Sequence, residues 1–415
     1  MLSLLRRNRN YRLLLSATAI SSLGDGVSAL AFPWLATLLT RDPVQIALIG
    51  FAARLPMFLF ALPAGVVTDR VNRQKIMVRA DVFRMVLTLG IVALILSAPR
   101  LPPGGGAPPF IAALAALAFL LGAAQVLRDN AAQTALPSVV DAADLEAANG
   151  QMWSVEHVMS AFVGPPLAGV LIARAVSLPF GFDALTFGAA AALVAAITMR
   201  PRQSQAARQR FLAELRQGID WMRAHPVLLR LALVLGVVNA LSAATDTMLV
   251  LYAREGLALA ATGFGLLMTA GAAGGVIGGF VSPPLVRRFG ATPCLRAALA
   301  AFGLGPALLA LGHSVVLAGL ALFIYTGGGM LWNIVTVSYR QRVIPDALLG
   351  RVNSVYRFLG LGMMPLGALA GGVIVAAFEP SLGRAIALRM PFATAAIGGL
   401  MLTGYGLYAL RLPEP

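Results

Sequence analysis

Apolar stretches of about 20 residues recur twelve times along this chain, and that recurrence decides what it can fold into. A stretch of that length crosses the hydrocarbon core of a bilayer, about 30 Å thick, as one α-helix whose backbone groups are satisfied internally. The twelve lie near 12–39, 44–68, 75–97, 109–136, 150–173, 178–199, 227–251, 258–284, 293–312, 314–338, 353–378 and 389–411. They follow one another along the whole of the 415 residues, and the stretches between them leave nothing for a soluble domain. The first is too long for a signal-peptide core and has no small-residue cleavage site behind it, so it reads as a retained span.

A net charge of +15 would suit a nucleic-acid binder, so the placement of the basic residues has to decide. Counted from a cytoplasmic N-terminus, the inner segments hold 22 of the 32 Lys and Arg; the outer ones hold Arg41, Arg100, Arg174, Arg254, Arg384 and Arg389. This asymmetry is the positive-inside pattern, which puts both termini in the cytoplasm and makes the charge topological rather than nucleic-acid-seeking. Cys294 is the only cysteine, and His157, His225 and His313 are scattered, so neither a disulfide framework nor a metal site is predicted. Lys75 is the only lysine, and no phosphate-cradling G-x-x-x-x-G-K-[ST] precedes it. No cofactor is implied, and energy for any transport has to come from an ion gradient or a partner.

The longest polar stretch, 200–226, divides the chain into halves 1–199 and 227–415 of six spans each. Within it Phe211, Leu215, Ile219 and Met222 recur at helical spacing, which predicts an amphipathic helix lying on the inner membrane surface. The halves echo each other: LPSVVDAADLEAANG (136–150) follows span four as VIPDALLGRVNS (343–354) follows span ten, and DRVN (69–72) corresponds to RRFG (287–290). Repeated six-span units are a feature of transporters. One face of span eight is nearly bare backbone, with Gly271, Gly275 and Gly279 four apart, and Pro165 and Pro166 predict a kink in span five.

The run GVVTDRVNRQK (65–75) resembles the loop between spans two and three of the major facilitator superfamily, roughly G-x-x-x-D-[RK]-x-G-[RK]-[RK]. GDGVSALAFPW (24–34), the P-x7-L-x-x-A-N pattern at 137–149 and GPPLAG (164–169) are similar to its drug- and siderophore-efflux branch, which includes enterobactin and macrolide exporters. The resemblance implies an all-α membrane protein: twelve transmembrane helices in two pseudo-symmetric six-helix bundles. It implies a cytoplasmic gate at Gly65, Asp69, Arg70 and Arg73, and a central cavity lined by spans one, seven and ten, which carry Trp34, Asn239, Trp332 and Asn333. Two positions depart from the pattern: Asn72 stands where the family usually has Gly, and Arg287 where the second copy often has Asp.

Ionisable residues inside spans are costly and are functional candidates by default. Asp81, Arg84, Arg128 and Asp129 lie toward the cytoplasmic ends of their spans and Asp183 and Asp246 toward the outer ends, where a rim position explains them. Glu156, a third of the way into span five, and Asp25 and Arg54, near mid-span, are harder to explain as structure. At 1.5 Å per residue, Asp25 lies about 18 Å in from Leu13 and Arg54 about 15 Å in from Val44. An Asp25–Arg54 ion pair is therefore predicted, with Asp25 taking the coupling proton and Glu156 as the alternative carboxylate. The sequence thus reads as a monomeric, non-enzymatic, proton-coupled exporter (antiporter) of drug-like or siderophore-like small molecules, working by alternating access in the bacterial inner membrane. Its partners are the substrate, protons and the lipid bilayer, with no nucleic acid. The alternatives are a proton-coupled importer of a small nutrient and a non-transport, lipid-handling membrane protein.

Overall fold

The computed structural model describes residues 2–98, 108–141, 144–198 and 211–412, without the side chains of 2, 3, 61, 62, 65–67, 69, 70, 146, 211–215, 346 and 347. These residues are helical apart from short connections, with no strand among them. Twelve helices are long and apolar enough to cross a membrane. They are α1 (Arg9–Leu39), α2 (Pro43–Arg70), α3 (Arg73–Ser97), α4 (Pro108–Ala135), α5 (Ala147–Arg174) and α6 (Leu178–Ala195), then α7 (Pro226–Gly256), α8 (Ala261–Phe289), α9 (Ala291–Leu311), α10 (Val315–Val343), α11 (Leu348–Leu382) and α12 (Arg384–Ala409).

Local chemistry sets where these helices start. The first N–H groups of a helix have no partner within it, and a preceding Asn supplies one. Asn8 accepts from the Tyr11 N–H at 2.9 Å, and its own amide donates to the Val139 carbonyl at 2.7 Å. Asn72 caps α3 in the same way, accepting from the Lys75 N–H at 3.1 Å, so the residue that departs from the family Gly has a structural task. Its counterpart Gly290, between α8 and α9, has φ 84°, a conformation that disfavours any side chain. In α5, Pro165 and Pro166 cannot donate to the preceding turn, and the helix relaxes into a π-turn over Val158–Val163.

Two compact units follow. The first comprises Met1–Arg41, Ala52–Gln205 and Leu259–Thr269, and the second Asp42–Phe51, Ala206–Ala258 and Ala270–Pro415. In the first, donors at the starts of α1 and α3 reach carbonyls at helix ends that lack helical partners. Asn10 bonds the Thr198 carbonyl at 2.8 Å, Gln74 that of Ile197 at 2.7 Å and Arg73 that of Thr134 at 2.8 Å. Tyr11 adds a bond to Gln151 at 2.9 Å, and beneath this clamp lie Leu14, Met77, Ala131 and Val194.

In the second unit, Leu295, Phe302, Trp332, Tyr339 and Tyr356 form the core. The helix expected from the spacing is present at Phe211–Ala224, and the part of its apolar stripe that is described packs on protein. Ile219 and Met222 pack into this core, Arg351 of α11 bonds Gln217, and Gly218 lets the Arg351 carbonyl approach. An apolar helical stripe reads the same whether lipid or protein covers it. The bare face of α8 is likewise filled by protein: Gly274 meets the Phe323 carbonyl of α10, and a Cβ on Gly278 would lie 3.0 Å from Gly327 Cα.

Helix α1 owes its place in the first unit to glycine. A Cβ on Gly26 would overlap the Ser160 backbone, and one on Gly164 would lie 2.6 Å from Gly26 Cα. Backbone cannot yield as a side-chain tip can, so Gly26→Ala is expected to destabilise the protein by about 1–3 kcal/mol. Gly90→Ala, which meets nothing within 4 Å, should be neutral or stabilising by up to about 1 kcal/mol. Thermal midpoints in detergent check this, and equal midpoints would contradict the close α1–α5 approach.

Candidate functional site

Three consecutive residues of α1, Gly24, Asp25 and Gly26, point about 100° apart and meet three different helices. Gly24 lies against the Asp183 and Thr186 side chains of α6, and Gly26 against Ser160 of α5. Asp25 turns to α3, where its carboxylate accepts a hydrogen bond from the Arg84 guanidinium. Two glycines therefore bring the α1 backbone close enough for a short Asp side chain to reach an interior cation.

Arg84 is the hub of what surrounds it. Besides Asp25, it lies 3.7 Å from Asp81 one turn away on α3, and its guanidinium stacks 3.9 Å over the Phe187 ring of α6. Asp81 is shared with Arg128 of α4 at 3.6 Å, and Arg128 also reaches Asp129 at 3.7 Å. On the other side of Gly24, Asp183 accepts from the Ser28 hydroxyl and lies 3.3 Å from that of Thr186. The relative exposures are 0% for Asp81, 1% for Asp183, 2% for Arg84 and 4% for Arg128.

Burying a charge is costly unless it is paired, so a cluster this enclosed has to balance. It holds two cations for four carboxylates among the described residues: Asp81 and Asp183 are buried with Arg84 and Arg128, while the Asp25 and Asp129 side chains that join them are partly exposed, at 23% and 43%. The contacts at 3.6–3.7 Å are beyond hydrogen-bond range, and both Asp81 oxygens are buried without a hydrogen bond. Coulomb attraction rather than hydrogen bonding holds the middle of the cluster, where carboxylates outnumber guanidiniums.

Comparison with known proteins places the chain among membrane transporters. The family model described as transmembrane secretion effector matches residues 3–414. The chain belongs to this family of the major facilitator superfamily. Among its relatives, the multidrug efflux pump Tap of Mycobacterium tuberculosis (strain ATCC 25618 / H37Rv) is 26% identical, covering 97% of this chain and 93% of that one. The enterobactin exporter EntS of Escherichia coli O81 (strain ED1a) is 27% identical, covering 99% and 93%. Solved structures share the fold: a mutant of the nucleoside transporter NupG has a TM-score of 0.75 at 14% identity, covering 96% of this chain and 100% of that one. An inward-facing bacterial homologue of the lysosomal transporter Spinster scores 0.73 at 15% identity, covering 98% of both. The major facilitator fold expected from sequence, with twelve helices in two pseudo-symmetric bundles, is thus the fold of this chain.

Against this frame of a major facilitator transporter, several expected site residues move. Asp25 is paired, but with Arg84 and not with Arg54, which is half-buried on α2. The depth argument compared only spans one and two; counted from Lys75, Arg84 lies nine residues in, about 14 Å, an equally good match. Asp81, Arg84, Arg128 and Asp183 are not rim residues, because neighbouring helices enclose them at any distance from a helix end. Glu156 is exposed on α5, without an ion pair to the cluster among the described residues but within electrostatic reach of Asp129, Arg128 and Asp25. The side chains of Gly65, Asp69 and Arg70 lie outside the described residues, and Arg73 ties α3 to the end of α4. Trp34 is buried against Phe264, with ring centroids 6.2 Å apart, and Trp332 is in the core of the second unit. Asn239 bonds the Gly360 carbonyl at 2.7 Å, and Asn333 is exposed.

Removing Arg84 leaves Asp25 and Asp81 buried with one fewer cation. Arg84→Gln is expected to cost about 3–5 kcal/mol. Adding Asp25→Asn should recover part of that loss, since a neutral amide needs no counter-ion. Thermal midpoints of the single and double variants check this; a double variant no better than Arg84→Gln would argue against the pair.

Proposed function

We propose that this transporter is a proton-coupled exporter, an antiporter of drug-like or siderophore-like small molecules, working by alternating access as a monomer in the bacterial cytoplasmic membrane. Both termini are cytoplasmic in this reading, following the placement of Lys and Arg. The direction of transport is supported by the relatives: both Tap and EntS are named for export, and each is matched over nearly its whole length. The observation that carries the coupling is the surplus of carboxylates in the buried cluster of the first unit.

The mechanism follows from that surplus. A proton entering the cluster removes one negative charge from a low-dielectric site and changes which carboxylate Arg84 pairs with. Because Arg84 links α3 to α1, a change of partner favours one arrangement of these helices over another. A proton that binds the two arrangements unequally shifts their populations, which is what coupling requires. Asp25 takes part in the coupling as a carboxylate whose counter-ion is Arg84 in place of Arg54, so that its pairing changes when the cluster gains or loses a proton. The segment 65–73, from the end of α2 to the start of α3, acts as the cytoplasmic gate, and Asn333, exposed on α10, is the candidate to meet substrate.

Expression in a pump-deficient bacterial host is expected to lower accumulation of amphiphilic dyes or antibiotics at least severalfold, and a protonophore should abolish the effect. Fluorescent-substrate accumulation with and without the protonophore reads this directly. Export that persists after the gradient collapses would contradict proton coupling, and inward concentration of the same compounds would contradict export.

A further inference from the structure

Of the four carboxylates in the cluster, three lie at ion-pair distance from a guanidinium: Asp25 from Arg84, Asp81 from both arginines and Asp129 from Arg128. Asp183 has hydroxyl partners instead, Ser28 and Thr186, with no Lys or Arg nitrogen at ion-pair distance among the described residues. We propose that Asp183 holds the exchangeable proton of this transporter, in a cradle formed by the Ser28 and Thr186 hydroxyls. The assignment rests on the proton-coupled reading above and names the atom group that carries the proton.

The cradle suits both forms of the group. A hydroxyl donates or accepts as needed, whereas a guanidinium only donates. When Asp183 is an anion, Ser28 Oγ donates to it, as the geometry shows. When Asp183 is a neutral acid, its own O–H donates to Ser28 Oγ and the serine proton turns elsewhere. The single Thr186 proton has two acceptors within reach, the Asp183 main-chain carbonyl at 2.7 Å and Oδ1 at 3.3 Å, so it also adapts without moving a helix. An ionised carboxylate buried with hydroxyls alone is expensive, while the neutral acid is not.

The neighbouring charges make this proton informative. On α1 the group facing Asp183 is Asp25, and Arg9 and Arg12 are at the far start of that helix. On α3 the facing charges are Arg84, stacked on Phe187 one turn beyond Asp183, and Asp81; Arg73, Lys75 and Arg79 are at the start. The part of α5 packed on α6, Gly164–Arg174, carries only Arg174, at its end. Asp25 and Asp183 therefore compete for one interior cation, Arg84. While Arg84 is held by Asp25, the proton belongs on Asp183; when Arg84 turns toward Asp183, that proton leaves and Asp25 is free to take another cation. Asp183 also lies five residues from Leu178, about 8 Å from the end of α6 opposite the Asn10 and Gln74 clamp. In the positive-inside reading this is the outer end, where a proton driving export enters.

Infrared spectroscopy of the purified, full-length protein tests the assignment through the C=O stretching band of a protonated carboxyl group at neutral pH. The expected result is a band in the wild type that is lost in Asp183→Asn, retained in Asp25→Asn and shifted in frequency in Ser28→Ala, where the carboxyl keeps its proton but loses a hydrogen-bond partner. Asn copies the shape of the neutral acid, so Asp183→Asn should still exchange substrate across proteoliposomes while losing gradient-driven accumulation. Should that variant not fold, the Ser28→Ala shift carries the test. A wild type with proton-driven transport whose band survives Asp183→Asn, or is unmoved by Ser28→Ala, overturns this assignment and leaves the functional reading standing. A wild type without proton-driven transport overturns both.

Discussion

A carboxylate placed in the interior of a membrane helix bundle must have a cation or a proton, because leaving it bare costs more than most folds have to spare. The first unit is organised around that requirement. Asp25 of α1, Asp81 of α3, Asp129 of α4 and Asp183 of α6 share two arginines, and every helix carrying one of them is fixed relative to the others by the need to keep those charges matched. The matching is incomplete by design of the sequence: two cations cannot neutralise four anions. In the proposed mechanism that deficit is where the exchangeable proton resides.

Getting α1 into position takes a different kind of physics. Gly24 and Gly26 remove the side chains that would hold α1 away from α6 and α5, and the π-turn before Pro165 shapes α5 where Ser160 and Gly164 meet Gly26. The charge between the two glycines then reaches Arg84 without a long side chain. Helix-breaking residues, close approach and ion pairing thus act on one short stretch, GDG, and a change to any of them moves the others. The second unit shows a contrasting solution. Its core holds Phe302 against Tyr325 and Trp332, with ring centroids 5.3 and 6.2 Å apart.

The spans, the family and the interior position of Asp25 were legible in the sequence, since hydropathy and a flanked charge are properties of single segments. Partners were less legible. Arg84 was assigned to a rim by its distance from a helix end, yet distance along an axis does not say which face points inward. The 211–224 helix shows the same limit: Ile219 and Met222 form an apolar stripe on paper, and only tertiary packing distinguishes a protein groove from a lipid surface. Trp34 and Trp332 were expected to line a cavity because of the helices they sit on, but each has turned into packing contacts. Asn72 is the opposite case, a departure from a family pattern whose capping role could have been read from the residue type alone.

The central claim is that the buried cluster of the first unit exchanges protons as the transporter handles its substrate. Proton release on substrate binding tests it most directly, measured with a pH-sensitive dye in weakly buffered detergent solution at several pH values. The account predicts that saturating substrate releases protons from the wild-type protein, and that the release depends on pH as the cluster fills. Saturable binding of a transported compound with no proton exchanged at any pH would contradict it.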